Sequence, residues 1–334
     1  TYNPTKMTGT TNIGGIVSTS SVVHTVNNCF NAGAITLKKG TYGVVYLGGA
    51  IGYANYTQTE GTGGFHNFYN KGAITLEDGL STTANIRMGG FCGWHNTAYD
   101  TNIANYGDIY VGATTTKQIL LGGLYGYSGK NYVMKGGYVN TGNITVTGGT
   151  GAVGDKSFNL SLGGVIGTFY SGIENAINTG NITMSGNAVK TDATFGGIVG
   201  YSYGNGIIKN CQSYCTIKAF EKVGDECVPY IQSGLITGSS RRAETQTGNN
   251  NTANARTAVV RDCKVGGEMI FSQVITEHTD VDAGGDPITT VTVTNTPGVL
   301  TADNWFNYIY GGTTDWMGAT DNDGCELLPA APTF

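Results

Sequence analysis

Charged side chains are scarce in this chain. Only 12% of its 334 residues are Asp, Glu, Lys or Arg, roughly half the usual share. Solubility must therefore come from Gly, Asn, Thr and Ser. Proline is nearly missing as well, six residues beside 54 glycines. Those glycines follow no three-residue period, which excludes a collagen triple helix. A basic excess is absent: the net charge is −5, which argues against a nucleic-acid partner and against an anionic membrane surface. No apolar run approaches the roughly 20 residues that a membrane-spanning helix needs. The seven cysteines are odd in number, and their spacing suggests no disulfide framework. An initiator Met is lacking too, and a repeat is under way by Ile13. We therefore expect that a signal or anchor has been removed, or that the chain is a C-terminal portion of something longer.

What is present is a repeat. Apolar residues reach 39%, enough to form a core. A block of the form apolar-Gly-Gly-apolar-apolar-Gly starts at Ile13 and returns at Leu47 to Gly52, Met88 to Gly93, Leu121 to Gly126, Leu162 to Gly167 and Phe195 to Gly200. A weakened copy, Gln232-Ser233-Gly234-Leu235-Ile236, is the seventh, and successive copies lie 33 to 41 residues apart. A second block, Asn-x-Gly-x-Ile-Thr-apolar, follows each of the first five: Asn31 to Leu37, Asn70 to Leu76, Asn105 to Val111, Asn140 to Val146 and Asn178 to Met184. Its sixth copy, Ser213 to Ala219, has lost both Asn and Gly, and Cys263 to Met269 only hints at a seventh.

Each repeat offers three short strand signals: the Gly-Gly block, the segment leading into the Asn, and the Ile-Thr-apolar run. They are too short for helices, and Ile, Val, Thr and Tyr suit a pleated surface. One such unit cannot bury its own apolar face, but stacked copies can. The expected fold is an all-β, right-handed parallel β-helix of about seven coils. At about 4.8 Å per coil it would be roughly 30 Å long. Ile35, Ile74, Ile109, Ile144, Ile182 and Ile217 should form one interior file. Cys29, Phe68, Ile103, Tyr138, Ala176, Cys211 and Cys263 should form another. Asn31, Asn70, Asn105, Asn140 and Asn178 should stack their amides. So should Asn28, Asn67, Asn102, Asn175, Asn210 and Asp262. Gly33, Gly72, Gly107, Gly142 and Gly180 are expected in left-handed turn geometry. A β-propeller would want four longer antiparallel strands per blade. A calcium β-roll would show Gly-Gly-x-Gly-x-Asp nonapeptides, which are absent.

The string Gly163-Gly164-Val165-Ile166-Gly167, continued by Gly172-Ile173-Glu174-Asn175-Ala176-Ile177-Asn178-Thr179-Gly180-Asn181-Ile182-Thr183, resembles a GLUG-motif repeat. So does Gly196-Gly197-Ile198-Val199-Gly200 with Ile208-Lys209-Asn210-Cys211. The resemblance covers about residues 12 to 271. It implies the repeat of bacterial surface and secreted proteins, often adhesin-like and many from gut Bacteroidetes, used as a scaffold without fixed chemistry. Residues 1–271 are therefore expected to form the β-helix, with a polar, surface-exposed insertion at 239–257. Residues 272–334 are expected to cap it: Thr289 to Thr294 alternates Val and Thr like an edge strand. Asp303 to Tyr310 and Trp316 concentrate aromatics that could cover an open end.

Chemistry is hard to find. A β-helical lyase or hydrolase needs paired carboxylates, or a basic residue beside an acidic calcium site. Here Asp108, Glu174 and Lys209 are read as lying in different coils without aligned partners. His24, His66, His95 and His278 share no register in the repeat. Asp280, Asp282 and Asp286 alternate in a Gly turn, as in Asp321-Asn322-Asp323-Gly324, and hard cations take such ligands. The closing Glu is missing, and a solvated turn is the simpler reading. Cys211 and Cys215 are spaced as a zinc pair, but Cys227 and Cys263 do not complete one. Buried free thiols are expected instead. A column formed by Thr19, Tyr53, Trp94, Tyr127, Thr168 and Tyr201 is either a packing ladder or an outward aromatic strip. As a strip, Tyr53, Trp94, Tyr127 and Tyr201 would bind sugar rings or partner side chains. The expected function is a non-catalytic surface or secreted adhesin-like scaffold that contacts host or environmental glycans or proteins and uses no cofactor. The alternative is a carbohydrate-active β-helix enzyme.

Overall fold

The computed structural model describes residues 6–22, 25–56, 63–96, 99–129, 133–149, 160–186, 188, 193–203, 207–218, 231–241, 259–271, 278–281, 287–291, 298–301 and 326–327. The chain winds as a parallel β-helix. Two seven-stranded parallel sheets run the length of the solenoid. The first stacks Thr11–Gly14, Val45–Gly48, Ile86–Gly89, Ile119–Gly122, Leu160–Gly163, Ala193–Gly196 and Ile231–Gly234. The second begins at Val17–Ser20 and ends at Thr237–Arg241. A third face carries two parallel ladders, one through Gly64–Asn70 and Thr101–Asn105, the other through Ile74–Leu76 and Ile109–Val111. Five coils keep these two ladders apart at the Asn-x-Gly turn. In the last two, where that motif is lost, they fuse into the single strands Gln212–Lys218 and Lys264–Phe271. Among the described residues the solenoid thus has five regular coils and two modified ones, where about seven alike were expected. Among the described residues no helix is long and apolar enough to cross a membrane.

The Ile file is continuous, with Ile35, Ile74, Ile109, Ile144, Ile182 and Ile217 paired neighbour to neighbour. From Ile74 onward it is buried, each side chain contributing about 1.5–3 kcal/mol by leaving water. Phe68, Ile103, Tyr138 and Ala176 form the second interior file, and Cys211 and Cys263 lie buried at its end. A 2.8 Å bond from the Lys264 amide to the Cys211 carbonyl ties those two coils. Cys29, Cys92, Cys211, Cys215 and Cys263 are free thiols, only Cys29 being partly exposed. Burial pushes the Cys92 thiol well up and the Cys215 thiol up to about 11. Alkylation at pH 8, read cysteine by cysteine by mass spectrometry, should therefore modify Cys29 and spare Cys92, Cys211, Cys215 and Cys263 until denaturant is added. Equal labelling of Cys29 and Cys211 in the folded protein would contradict this packing.

Several sequence expectations need correction. The Gly-Gly block is not one strand. It is a corner that divides each coil between the first and second sheets, so the second coil has five strands rather than three. Gly33, Gly72, Gly107, Gly142 and Gly180 are not left-handed. Left-handed geometry falls instead on the residue before the second interior file: Asn28, Asn67, Asn102, Asn175, Asn210 and Asp262, with φ between 51° and 60°, and Gly137 in the fourth coil at φ 79°. Asn tolerates this region because its short side chain can bond locally, and here Asn67 and Asn102 each also donate to the amide one coil back.

The Asn-x-Gly glycines answer a different need, close approach between coils. A Cβ at Gly72, Gly107, Gly142 or Gly180 would lie 2.0–2.2 Å from the preceding coil's glycine carbonyl oxygen. Of the polar insertion read over 239–257, Ser239 to Arg241 continue the second sheet beside Tyr201 to Tyr203, and residues 242–257 lie outside the described residues. At the far end, Gly298–Thr301 pairs antiparallel with Lys264–Phe271. Pro287–Val291, which holds part of the Val/Thr alternation, forms a hairpin with His278–Val281. Residues 303–316 lie outside the described residues.

The two sequence blocks fit one another. Nδ2 of Asn31, Asn70, Asn105 and Asn140 donates to Oδ1 of the next amide at 2.7–2.8 Å. The same nitrogen donates to the carbonyl of the glycine two residues on. Each amide occupies the space that the second glycine of the corner leaves open. A Cβ at Gly49 would lie 2.8 Å from Asn70 Cγ, and one at Gly90 would lie 2.3 Å from Asn105 Cγ. Where the sixth coil has Ser213, a Cβ at Gly197 would lie 2.0 Å from its Oγ. In the seventh coil both partners change together: Leu235 stands at the glycine position and Val265 at the Asn position, and both are buried.

Candidate functional site: an aromatic–arginine cleft

The second sheet stacks Thr19, Tyr53, Trp94, Tyr127, Thr168, Tyr201 and Ser239 in register. The first sheet stacks Asn12, Tyr46, Arg87, Leu120, Ser161, Thr194 and Gln232. The sharp glycine corner folds these two outer faces toward each other, so the columns meet coil by coil. Asn12 Nδ2 donates to Thr19 Oγ1 at 2.8 Å. The Tyr46 and Tyr53 rings stack with centroids 5.4 Å apart. The Arg87 guanidinium lies 3.8 Å from the centre of the Trp94 ring.

Arg87 is the centre of the group. It also sits 4.7 Å from the Tyr127 ring and 5.4 Å from the Tyr46 ring, and one guanidinium nitrogen donates to Tyr46 Oη at 3.1 Å. Cation–π contact of this kind contributes about 0.5–2 kcal/mol per ring, most where water is excluded. Only 8% of Arg87 is exposed. Burial lowers its pKa, while Tyr46, Tyr127 and Tyr170 act in the opposite sense. It stays a cation at neutral pH. Among the described residues it makes no ion pair, and its Nε has no hydrogen-bond partner.

In the fifth coil the facing pair is small, Ser161 and Thr168. The missing ring volume opens a cleft of about 120 Å³, bordered by Arg87, Gln118, Tyr127, Tyr170 and Tyr201. Tyr170 is 39% exposed at its mouth, and its ring meets Tyr127 edge-on at 5.9 Å. Ser161 Oγ donates to the Gly167 carbonyl at 2.6 Å, whereas among the described residues Thr168 Oγ1 and Trp94 Nε1 have no hydrogen-bond partner.

Of the sequence-predicted strip, Tyr53, Trp94 and Tyr127 are brought into ring contact and remain half exposed. Tyr201 lies across the gap left by Thr168, with only 7% exposure. Sequence reading missed Tyr46, Arg87 and Tyr170. The first two were findable as the residue two places before each corner glycine, which the strand period turns to the same face as the aromatic column. A second outward aromatic group was missed as well: exposed Phe30 stacks on Tyr69 at 5.3 Å, and Tyr106 meets Tyr69 edge-on.

The remaining candidates fall elsewhere. Glu174 and Lys209 are not without aligned partners: they sit opposite each other in adjacent strands, followed by Arg261. Each also faces an exposed ion partner at 3.8 Å, Lys135 and Asp262 respectively. Such surface pairs are held mainly by solvated Coulomb attraction and contribute little. Asp108 begins a third ladder: its Oδ1 accepts from the Asn143 amide, Asn143 Oδ1 from the Asn181 amide and Asn181 Oδ1 from the Thr216 amide. His66 contacts Thr101, while His95 is enclosed in the core with Asp100. Asp280 is in the strand His278–Val281, and Asp282 and Asp286 lie outside the described residues. So do Cys227, His24 and residues 321–324. Among the described residues no three His, Cys, Asp or Glu side chains gather as metal ligands. Comparison with protein-family models, with curated proteins and with solved structures finds no match.

Proposed function

We propose that this protein is a non-catalytic, adhesin-like scaffold of a bacterial surface or secreted type, and that its aromatic–arginine cleft contacts glycans. One observation carries the reading: Tyr46, Tyr53, Trp94 and Tyr127 form a connected, half-exposed ring surface around a cation on a rigid two-sheet corner. Aromatic faces offer large contact area at low entropic cost, and sugar rings present C–H faces that stack on them. A site built on strands rather than loops holds its geometry before the ligand arrives, which lowers the cost of binding. The resemblance to GLUG-motif repeats supports the placement outside the cell and the scaffold role.

The test is a glycan-array screen of the full chain, run beside a polysaccharide-depolymerisation assay. Trp94→Ala and Tyr127→Ala should each weaken binding by about tenfold or more, as loss of a central aromatic contact does, and no polymer should be shortened. Unchanged binding in both variants would remove the cleft from the proposal. Cleavage abolished by changes in the cleft would make the protein an enzyme instead.

A further inference from the structure

Within the glycan reading above, we infer that the cleft selects acidic saccharides, with Arg87 receiving the carboxylate or sulfate of a sugar whose ring lies against Tyr127 and Tyr170. Arg87 is more than nine-tenths buried and has no carboxylate partner among the described residues. A buried cation without a counter-ion is costly, and ring quadrupoles offset only part of that cost. A neutral residue would fill the same space beneath Trp94 more cheaply, as Leu120 does one coil on in the same column.

The cost is recovered when a ligand supplies the missing anion, because an ion pair formed in a partly water-excluded site is stronger than one at an open surface. The shape of the site agrees. The cation borders the cleft beside two aromatic rings. An anion at Arg87, with its sugar ring against those aromatic faces, would use both. The guanidinium is fixed by stacking on Trp94 and by Tyr46, so little side-chain freedom is lost on binding.

The experiment measures affinity of the full chain for matched pairs of oligosaccharides that differ in one acidic group. These are oligogalacturonate and its methyl ester, sialyllactose and lactose, and sulfated and unsulfated galactose oligomers. The acidic member of at least one pair should bind about tenfold tighter, and that advantage should shrink as salt is raised. Whichever pair shows it identifies carboxylate or sulfate as the group recognised.

Arg87→Met should erase the preference while Arg87→Lys keeps part of it, with circular dichroism and thermal melting confirming the fold of both. Should Arg87→Met fail to fold, the wild-type preference and its salt dependence decide the matter alone. Equal binding of acidic and neutral members overturns the inference and leaves glycan contact standing. Absence of binding to every member overturns both.

Discussion

Asn105→Ala should destabilise the solenoid by about 3 kcal/mol or more, while Asn31→Ala should cost about 1 kcal/mol or less. The two side chains have the same chemistry and the same place in the repeat; what separates them is burial. Asn105 is fully enclosed, gives hydrogen bonds to Asn140 and Gly107, and accepts one from Asn70. Its removal leaves one donor and two acceptors unpaired in the interior, at about 1–3 kcal/mol each. Asn31 lies at the partly exposed end of the file, where water replaces what is lost. Asn105→Ser should fall between, since Ser213 fills the equivalent place in the sixth coil.

Gly90→Ala should be worse than any of these. Its Cβ would lie 2.3 Å from both Asn105 Cγ and the Gly123 carbonyl oxygen. Combining it with Asn105→Ala relieves only one of the two collisions. Urea midpoints, with hydrogen exchange in Thr101–Asn105 as a local reporter, measure these differences in an array that need not unfold in one step. Equal costs at Asn31 and Asn105 would mean that the amide file does not act as a buried network.

That ladder also shows what could be seen in the sequence. The Ile file, the Asn file and the parallel stacking were legible because every coil places the same residue type at the same spacing, and a periodic signal survives imperfect copies. The glycines were legible as a pattern but not as a cause. Gly72 and Gly107 look like turn residues, yet the constraint on them comes from a carbonyl one coil away, about 35 residues distant in sequence. Left-handed geometry belongs instead to Asn67 and Asn102, and either residue type could have taken it.

Arg87 was hidden for a different reason. Its column reads Asn12, Tyr46, Arg87, Leu120, Ser161 and Thr194, so no chemistry repeats and no periodic search selects it. Repetition marks what the scaffold needs. A departure from repetition on an outward face is where a site can be placed, as the small Ser161 and Thr168 show by opening the cleft.

Inside the solenoid, one coil carries a buried imidazole–carboxylate pair. His95 follows Ala54 and precedes Ser128 and Phe169 in its column, and its Nε2 lies 2.6 Å from Asp100 Oδ2, both residues about 1% exposed. Asp100 Oδ1 accepts the Phe65 amide at 2.8 Å, so the carboxylate ties two coils as well as holding the ring. Asp100→Ala should cost about 3–5 kcal/mol, because it removes the buried partner of His95 Nε2 and of the Phe65 amide together. His95→Ala should also be severe, since it leaves the carboxylate without its partner in the core. The double variant should cost clearly less than the sum of the two, the second deletion adding little beyond a cavity. Asp100→Asn is informative beside these. It keeps an acceptor for Phe65 and changes only the oxygen that faces His95, so a cost near that of Asp100→Ala would assign most of the effect to the His95 contact. Additive losses in the His95/Asp100 cycle would show that the two side chains are neighbours without being coupled.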